Sequence, residues 1–283
     1  MTLKFDDVTV DLPVKKIGIL YHPKLEKARN LVNELEELLS TKGVTCWHCS
    51  AWDEDAARAQ VAGSDLILSI GGDGTILHAA RIIIPLSVPL LGINLGQLGF
   101  IAELSADEAL SNLPRVINGE GWFDDRAILE ANVDGESFHA LNDVVLRSPI
   151  ARLIHIKAKI DGEELTTYRA DGVVIASATG STGYCLAAGG PILYPQSTQI
   201  IAMPVSCHLG LNYALVLSSQ SVIELSIAER EEAMLSLDGQ VNLPVKEEQI
   251  VMVKLSPYTT RFLRIHPPTH LYGSLWQKLK ERG

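Results

Sequence analysis

The stretch Asp65-Leu66-Ile67-Leu68-Ser69-Ile70-Gly71-Gly72-Asp73-Gly74-Thr75 constrains the fold more than any other part of this chain. A continuous apolar run ending in glycine reads as a buried strand, and the apolar spacing that resumes at Ile76 starts a helix. Gly71, Gly72 and Gly74 open backbone angles closed to other residues and let a ligand approach the main chain. The following helix aims its unpaired N–H groups and its positive dipole end at the same spot. Such a turn suits a phosphate. Asp73 places an anion inside that cradle, which implies either a metal ion or a proton-abstraction role.

The flanking sequence repeats the strand-then-helix pattern. Residues 16–20 form a first strand, and Leu25, Ala28, Leu31, Val32, Leu35, Leu38 and Leu39 lie on one helical face that Gly43 stops. Strands follow at 44–49 and 90–94, with a helix at 56–61 and another ending before Pro85. A second glycine turn, Asn94-Leu95-Gly96-Gln97-Leu98-Gly99-Phe100, closes the last of these strands. Ser105-Ala106-Asp107-Glu108 is a capping box whose helix should be short or kinked, because Pro114 cannot continue one comfortably. The alternation predicts a Rossmann-like parallel sheet with helices on both faces. Ligands in such sheets bind beyond the carboxyl ends of the strands, so both glycine turns read as walls of one cleft. Cys46-Trp47-His48-Cys49 invites a metal or redox reading, but on a strand the two thiols point to opposite faces, and a single CxxC is weak evidence for zinc.

Beyond Gly121 the pattern changes. Strands are predicted at 128–133, 137–141, 144–146, 153–160, 173–178, 222–227, 234–237 and 250–255, with hairpin turns at Asp134-Gly135 and Asp161-Gly162. The expected organisation is an α/β domain over 1–121, a mostly antiparallel β domain over 122–256, and a tail over 257–283 that packs back on the first domain. Residues 272–281 carry the spacing of a short amphipathic helix.

With 283 residues and 47% hydrophobic content, a chain of this kind buries roughly three-quarters of its unfolded surface. A formal charge of −10 argues against a nucleic-acid footprint, yet leaves open a nucleotide held by local N–H groups. No apolar stretch is long enough to span a bilayer, the N-terminus has no apolar signal core, and four cysteines do not suggest a disulfide framework. The expectation is a cytoplasmic protein without a membrane or nucleic-acid partner.

A second constellation carries the rest. Asp171-Gly172 precedes a strand that ends in Thr179-Gly180-Ser181-Thr182-Gly183-Tyr184, followed by Gly189-Gly190-Pro191 and later by Leu237-Asp238-Gly239-Gln240. Small hydroxylated residues interleaved with glycine can bind sugar hydroxyls, phosphate oxygens or base edges. Alone, such a string is equally well a turn with capping hydroxyls. Together with the glycine turn at 71–75, with Leu141-Asn142-Asp143 and with Tyr168-Arg169-Ala170-Asp171-Gly172, it resembles the NAD kinase family over nearly the whole chain. Members of that family phosphorylate the 2′-hydroxyl of the adenosine ribose of NAD. The first turn is shared with diacylglycerol-kinase-like and phosphofructokinase-like enzymes. The later segments are far more specific. The chain departs from the family pattern at Ala178, Gly183, Asp143 and Cys207, where proline, alanine, glutamate and proline are usual.

The resemblance implies a set of roles. Asp73 would be the catalytic carboxylate that orients the ribose hydroxyl and takes its proton; as an alternative it caps the following helix. Gly71, Gly72, Gly74 and Thr75 would hold the donor phosphates by backbone N–H groups, with Mg2+ arriving on ATP and no residue assigned as a resident metal ligand. Asn142, Asp143, Asp171, Thr179, Thr182, Gly183 and Tyr184 would form the NAD site, the carboxylates accepting from ribose hydroxyls. Arg169 meets a phosphate or pairs with an acid, and Phe100 and Tyr184 are pocket walls or core. Asp238 lines the site or simply turns a hairpin, and His208 reads as a packing residue. The donor is ATP or polyphosphate, and a homodimer or homotetramer is implied. The competing readings are a lipid or sugar kinase of the same superfamily and a non-catalytic NAD(P)-binding sensor.

Overall fold

The computed structural model describes residues 10, 14–96, 99–228 and 231–270. It divides into two compact units, the described residues of Met1–Asp125 with Thr260–Gly283, and those of Arg126–Thr259.

The first unit holds β1 (Lys16–Tyr21), α1 (Glu26–Thr41), β2 (Thr45–Ser50), α2 (Glu54–Val61), β3 (Leu66–Gly71), α3 (Asp73–Ile83), β4 (Leu90–Asn94), β5 (Leu104–Ser105) and α4 (Ala106–Ile117). The strands are parallel, in the order β2-β1-β3-β4, with β5 beside the end of β4. Alternate residues of a strand face opposite ways. Ile17, Ile19, Leu66, Leu68, Ile70, Leu91 and Ile93 therefore form one core with the apolar faces of α1 and α4, while α2 and α3 cover the other side. This is the predicted doubly covered parallel sheet. Cys46 and Cys49 are free thiols on β2.

Helix α4 carries Pro114 in its last turn without ending there. It runs through Pro114 to Ile117, and the Asn118 N–H donates to the Pro114 carbonyl at 3.1 Å. The missing amide costs one hydrogen bond, while Leu113 and Val116 remain buried on the sheet and hold the last turn in place. The capping box is present: the Ser105 N–H donates to Glu108 Oε2 at 2.9 Å.

The second unit is antiparallel. The chain enters it along β6 (Trp122–Val133), then passes through β7 (Glu136–Ala140), β8 (Asp143–Arg147), β9 (Ile154–Ile160), β10 (Glu163–Ala170), β11 (Gly172–Ala176), a 3-10 turn (Gly180–Thr182) and α5 (Tyr184–Ala187). Five further strands follow: β12 (Ile200–Val205), β13 (Leu215–Leu217), β14 (Ile223–Ile227), β15 (Ala233–Leu237) and β16 (Val241–Val245). The chain leaves along β17 (Val251–Arg264). One sheet has the order β13-β12-β11-β8-β15-β16. Its inner residues Val144, Leu146, Val173, Ile175 and Leu235 pack against Ile154, Ile156, Ile223, Leu225 and Val253 of the facing strands. Its other face is also covered, since Val145, Val174 and Ile201 pack with Cys185 of α5. Burial on both faces explains why β11 reads as an unbroken apolar run.

Asp134-Gly135 and Asp161-Gly162 turn two-residue hairpins with positive φ at both positions, as their sequence requires. The sequence missed β10, β12, β13 and β16, and it ended the last strand at 255. That strand continues to Arg264, and Phe262 pairs with Leu90 of β4 in the first unit's sheet. The predicted helix at 272–281 lies outside the described residues.

Candidate active site

The glycine turn at 71–75 sits at the carboxyl end of β3. Gly71 pairs with Asn94 at the end of β4, so the two glycine turns begin side by side. Helix α3 begins at Asp73 with Gly72 as its N-cap. None of Gly71, Gly72 and Gly74 has a positive φ, so backbone freedom is not what these glycines supply. A Cβ on Gly71 would stand 2.1 Å from Thr75 Oγ1, whereas Gly72 and Gly74 face open space. The first glycine is there for internal packing, and the other two leave the main chain open to approach. Thr75 is turned inward: its N–H donates to the Gly72 carbonyl at 2.9 Å and, among the described residues, its buried hydroxyl has no partner. The Thr75 N–H, expected to face a phosphate, is thus engaged within the turn itself.

Asp73 does not cap its own helix. Its Oδ2 accepts the Phe100 N–H at 2.8 Å and its Oδ1 that of Ile101 at 3.3 Å. Gly99 makes this possible, since a Cβ there would lie 1.9 Å from Asp73 Oδ1. A carboxylate offers about four lone-pair directions, so two amides leave capacity for a substrate hydroxyl. Gln97 and Leu98 lie outside the described residues.

The same loop is held from behind. The Arg264 guanidinium donates to the Ile101 carbonyl at 2.7 Å, to Asp124 Oδ2 at 3.1 Å and to Glu103 Oε2 at 3.3 Å. Glu103 Oε1 accepts the backbone N–H groups of Ile265 and His266 at 2.8 and 2.7 Å, and lies 2.9 Å from His266 Nδ1. Burial pushes the Glu103 carboxyl up, but the His266 hydrogen bond and the Arg264 charge outweigh it and hold the group below the usual carboxylate range. The hydrogen bond to Glu103 correspondingly raises His266. No sequence signal marked this cluster, because 161 residues separate Glu103 from Arg264.

The second unit brings together most of the other predicted residues. Leu141 and Asn142 link β7 to β8, which Asp143 begins, and the 177–183 segment folds directly against these residues. Ser177 N–H donates to the Asn142 carbonyl at 2.9 Å, Ser177 Oγ donates to the Leu141 carbonyl at 2.5 Å, and a Cβ on Gly180 would lie 1.9 Å from the Asn142 carbonyl oxygen. Thr182 Oγ1 donates to the Thr179 carbonyl at 3.1 Å, and Thr179 Oγ1 accepts from Arg126 at 3.3 Å. Gly183 has a negative φ and stands near Asn142 and Asp143; a Cβ there would lie 3.8 Å from Asp143 Oδ2.

Asp238 closes the arrangement. Its carboxylate accepts the consecutive N–H groups of Leu141, Asn142 and Asp143 at 2.9, 2.7 and 3.1 Å, and its own N–H returns a bond to the Asp143 carbonyl at 2.9 Å. It also turns the β15–β16 hairpin with φ 52°, so the hairpin reading of this residue holds while its carboxylate faces residues 141–143. A cavity of about 530 Å3 opens here, lined by Asn142, Asp143, Arg147, Tyr184, Asp238 and Asn242 among others. The side-chain oxygen of Asn142 is buried with no hydrogen-bond partner among the described residues. Tyr184 is 44% exposed, which makes it a pocket wall and not core.

Comparison with known proteins agrees with this geometry. Residues 18–121 match the model of the ATP-NAD kinase N-terminal domain, and residues 141–265 match that of the C-terminal domain. The chain belongs to the NAD kinase family. It is 42% identical over 273 residues to the NAD kinase of Dehalococcoides mccartyi, covering 94% of this chain and 96% of that one. It is 37% identical to the NAD kinase of Chloroflexus aurantiacus, covering 94% and 99%. Its structure is similar to the crystal structure of an NAD kinase from Archaeoglobus fulgidus in complex with ATP, with a TM-score of 0.75 and 25% identity, covering 91% of this chain and 97% of that one.

Two residues expected in the site of this NAD kinase family member stand apart from the Asn142 cavity. Asp171 precedes β11 and the 177–183 segment follows it, so the two lie at opposite ends of a five-residue strand, roughly 20 Å apart at the usual rise. Arg169 is exposed beside Asp171, and its backbone pairs with His208 and Leu209. His208 is likewise exposed.

Proposed function

We propose that this enzyme transfers the γ-phosphate of ATP to the 2′-hydroxyl of the adenosine ribose of NAD, giving NADP. The observation that carries the reading is the second unit's cavity. Its volume suits a nucleoside-sized group, and its walls are the Asn142-Asp143 pair, the Tyr184 ring and, behind them, the hydroxyl-rich 177–183 turn. The unsatisfied Asn142 oxygen offers an acceptor to a donor such as an exocyclic amine. Asn142, Asp143, Thr179, Thr182, Gly183 and Tyr184 would hold NAD there, while Gly72 and Gly74 would admit the donor phosphates to the first unit's turn. Phe100, tied to Asp73 through its amide, would border that turn.

Asp73 would orient the ribose hydroxyl and accept its proton as the phosphoryl group arrives. Its two backbone donors fix the carboxylate's direction without exhausting its lone pairs, which supports that role.

Among the described residues no group of three or more His, Cys, Asp or Glu side chains could hold a metal ion. A divalent cation, Mg2+ by preference, would be carried in by the phosphates of ATP and would neutralise their charge during transfer. Polyphosphate is a second candidate donor. Among the described residues no helix is long and apolar enough to cross a membrane; cytoplasmic action and a homodimer or homotetramer complete the proposal.

Purified protein incubated with NAD, ATP and Mg2+ should form NADP, read by a coupled dehydrogenase assay. Phosphorylation of a lipid or sugar with no NADP formed would overturn the reading, as would tight NAD binding without turnover.

A further inference from the structure

The cavity of the second unit contains two carboxyl groups in very unequal surroundings. Asp238 receives three backbone N–H bonds, which stabilise its negative charge. Asp143 is 6% exposed, and among the described residues nothing donates a hydrogen bond to its carboxyl group.

The groups around Asp143 can be taken element by element. The β15–β16 turn presents Asp238, a like charge. Helix α5 presents the Cys185 thiol and the Tyr184 phenol; burial and the Asp143 charge push Cys185 up to about 11, so it stays neutral. Segment 177–183 carries no charged or titratable side chain. From β6, Arg126 is directed to the Thr179 hydroxyl, and Arg147 stands at the far, exposed end of β8. Two carboxyl groups in one site do not both ionise without cost, and the proton goes to the one whose charge is less stabilised. Protonating Asp143 sacrifices none of the bonds described; protonating Asp238 would weaken three.

From this arrangement we infer that Asp143 acts on the dinucleotide as a neutral carboxylic acid, donating its proton in a hydrogen bond to an acceptor atom of the ligand. It would then serve as a binding-specificity residue and not as the ribose-accepting carboxylate that the family pattern implies. A neutral Asp143 also removes one negative charge from a pocket that must admit an anionic pyrophosphate. Burial, with the Asp238 charge second, pushes Asp143 up to about 7. The proton is therefore held on the acidic side of neutrality and lost above it.

The inference rests on the dinucleotide reading of this cavity, and its test separates the two. NAD affinity of the full chain is measured by calorimetry from pH 6 to 8, a range in which NAD itself does not titrate, for the wild type and for Asp143→Asn, an uncharged donor of the same shape. The wild type should lose affinity with rising pH, approaching a tenfold loss per pH unit (roughly, for one linked proton) above 7. Asp143→Asn should bind NAD with an affinity nearly flat in pH and tighter than the wild type at pH 8. An infrared carbonyl band of a protonated carboxyl should be present in the wild type at pH 6, fade by pH 8 and be missing from the variant. Wild-type affinity that is constant or improves with pH, or absence of the band, would overturn the inference and leave the kinase reading intact. If the band is present while NAD fails to bind at every pH, the dinucleotide reading falls and takes the ligand role of Asp143 with it.

Discussion

Asp73 combines two duties in one side chain, since the carboxylate proposed to activate the acceptor also fixes the amides of Phe100 and Ile101. Replacing it by asparagine removes the base and turns one acceptor oxygen into a donor facing an N–H group. Turnover should fall by roughly 10²- to 10⁴-fold, measured as NADP formed under saturating NAD and ATP, with the circular dichroism spectrum retained. Gly99 is the counterpart. A methyl group there would collide with the Asp73 carboxylate, so Gly99→Ala should displace the loop and cost about 1–3 kcal/mol in a urea titration, with turnover reduced at least tenfold. Asp143 leaves a stability signature of its own. Its folded-state value is raised to about 7, so its stabilising contribution is complete below the unfolded carboxylate value near 4 and is lost as pH rises through 7. The melting temperature of Asp143→Asn relative to the wild type should therefore climb between pH 4 and 8, as differential scanning fluorimetry can read.

At the scale of elements, α3 and the loop it supports are held at both ends. Arg58 of α2 donates to the carbonyls of Arg81, Ile82 and Ile84 at the end of α3, at 2.7, 3.2 and 3.0 Å, and satisfies groups that the helix leaves unpaired. Arg58→Ala should cost about 1–2 kcal/mol, read from the shift in urea midpoint. The Glu103–His266 pair gives opposite pH limbs. Glu103 is lowered, so its stabilisation is present above the unfolded glutamate value and disappears as pH falls through the folded one. His266 is raised, so its share is present below the unfolded histidine value and disappears as pH rises past the folded one. What was legible from sequence at this scale was what local chemistry dictates. The Asp-Gly hairpins, the apolar face of α1 and the buried run of β11 each carry their signal within a few residues. Strand β10 was missed because its sequence is mostly polar and only Tyr168 and Ala170 are buried. Strand β16 was missed because it contains Pro244, which an edge strand tolerates. The hairpin at Asp238 was legible, but its bonds to residues 141–143 and the role of Arg264 were not. Each is made by contacts to residues about a hundred or more positions away, and no local pattern records such a contact.

For the molecule as a whole, net charge and metal chemistry belong together. On the proposed reading, an acidic chain of formal charge −10 that binds a polyanionic donor would depend on a cation brought in with it. Chelation by EDTA should abolish NADP formation, and Mg2+ in excess should restore it. The melting temperature should stay unchanged throughout, which distinguishes a substrate-borne ion from a structural one.

The connectivity has a consequence for synthesis. Arg126–Thr259 is an insertion within the first unit, whose last strand pairing, Phe262 with Leu90, and whose buried counter-charge, Arg264, come from beyond that insertion. On a ribosome, the unit that begins first must therefore finish last. Until Arg264 emerges, the carboxylates of Glu103 and Asp124 lack their guanidinium partner, and the loop that fixes Asp73 has no support from behind. A nascent chain halted at Thr259 could close its β unit while the phosphate turn still waits for its anchor.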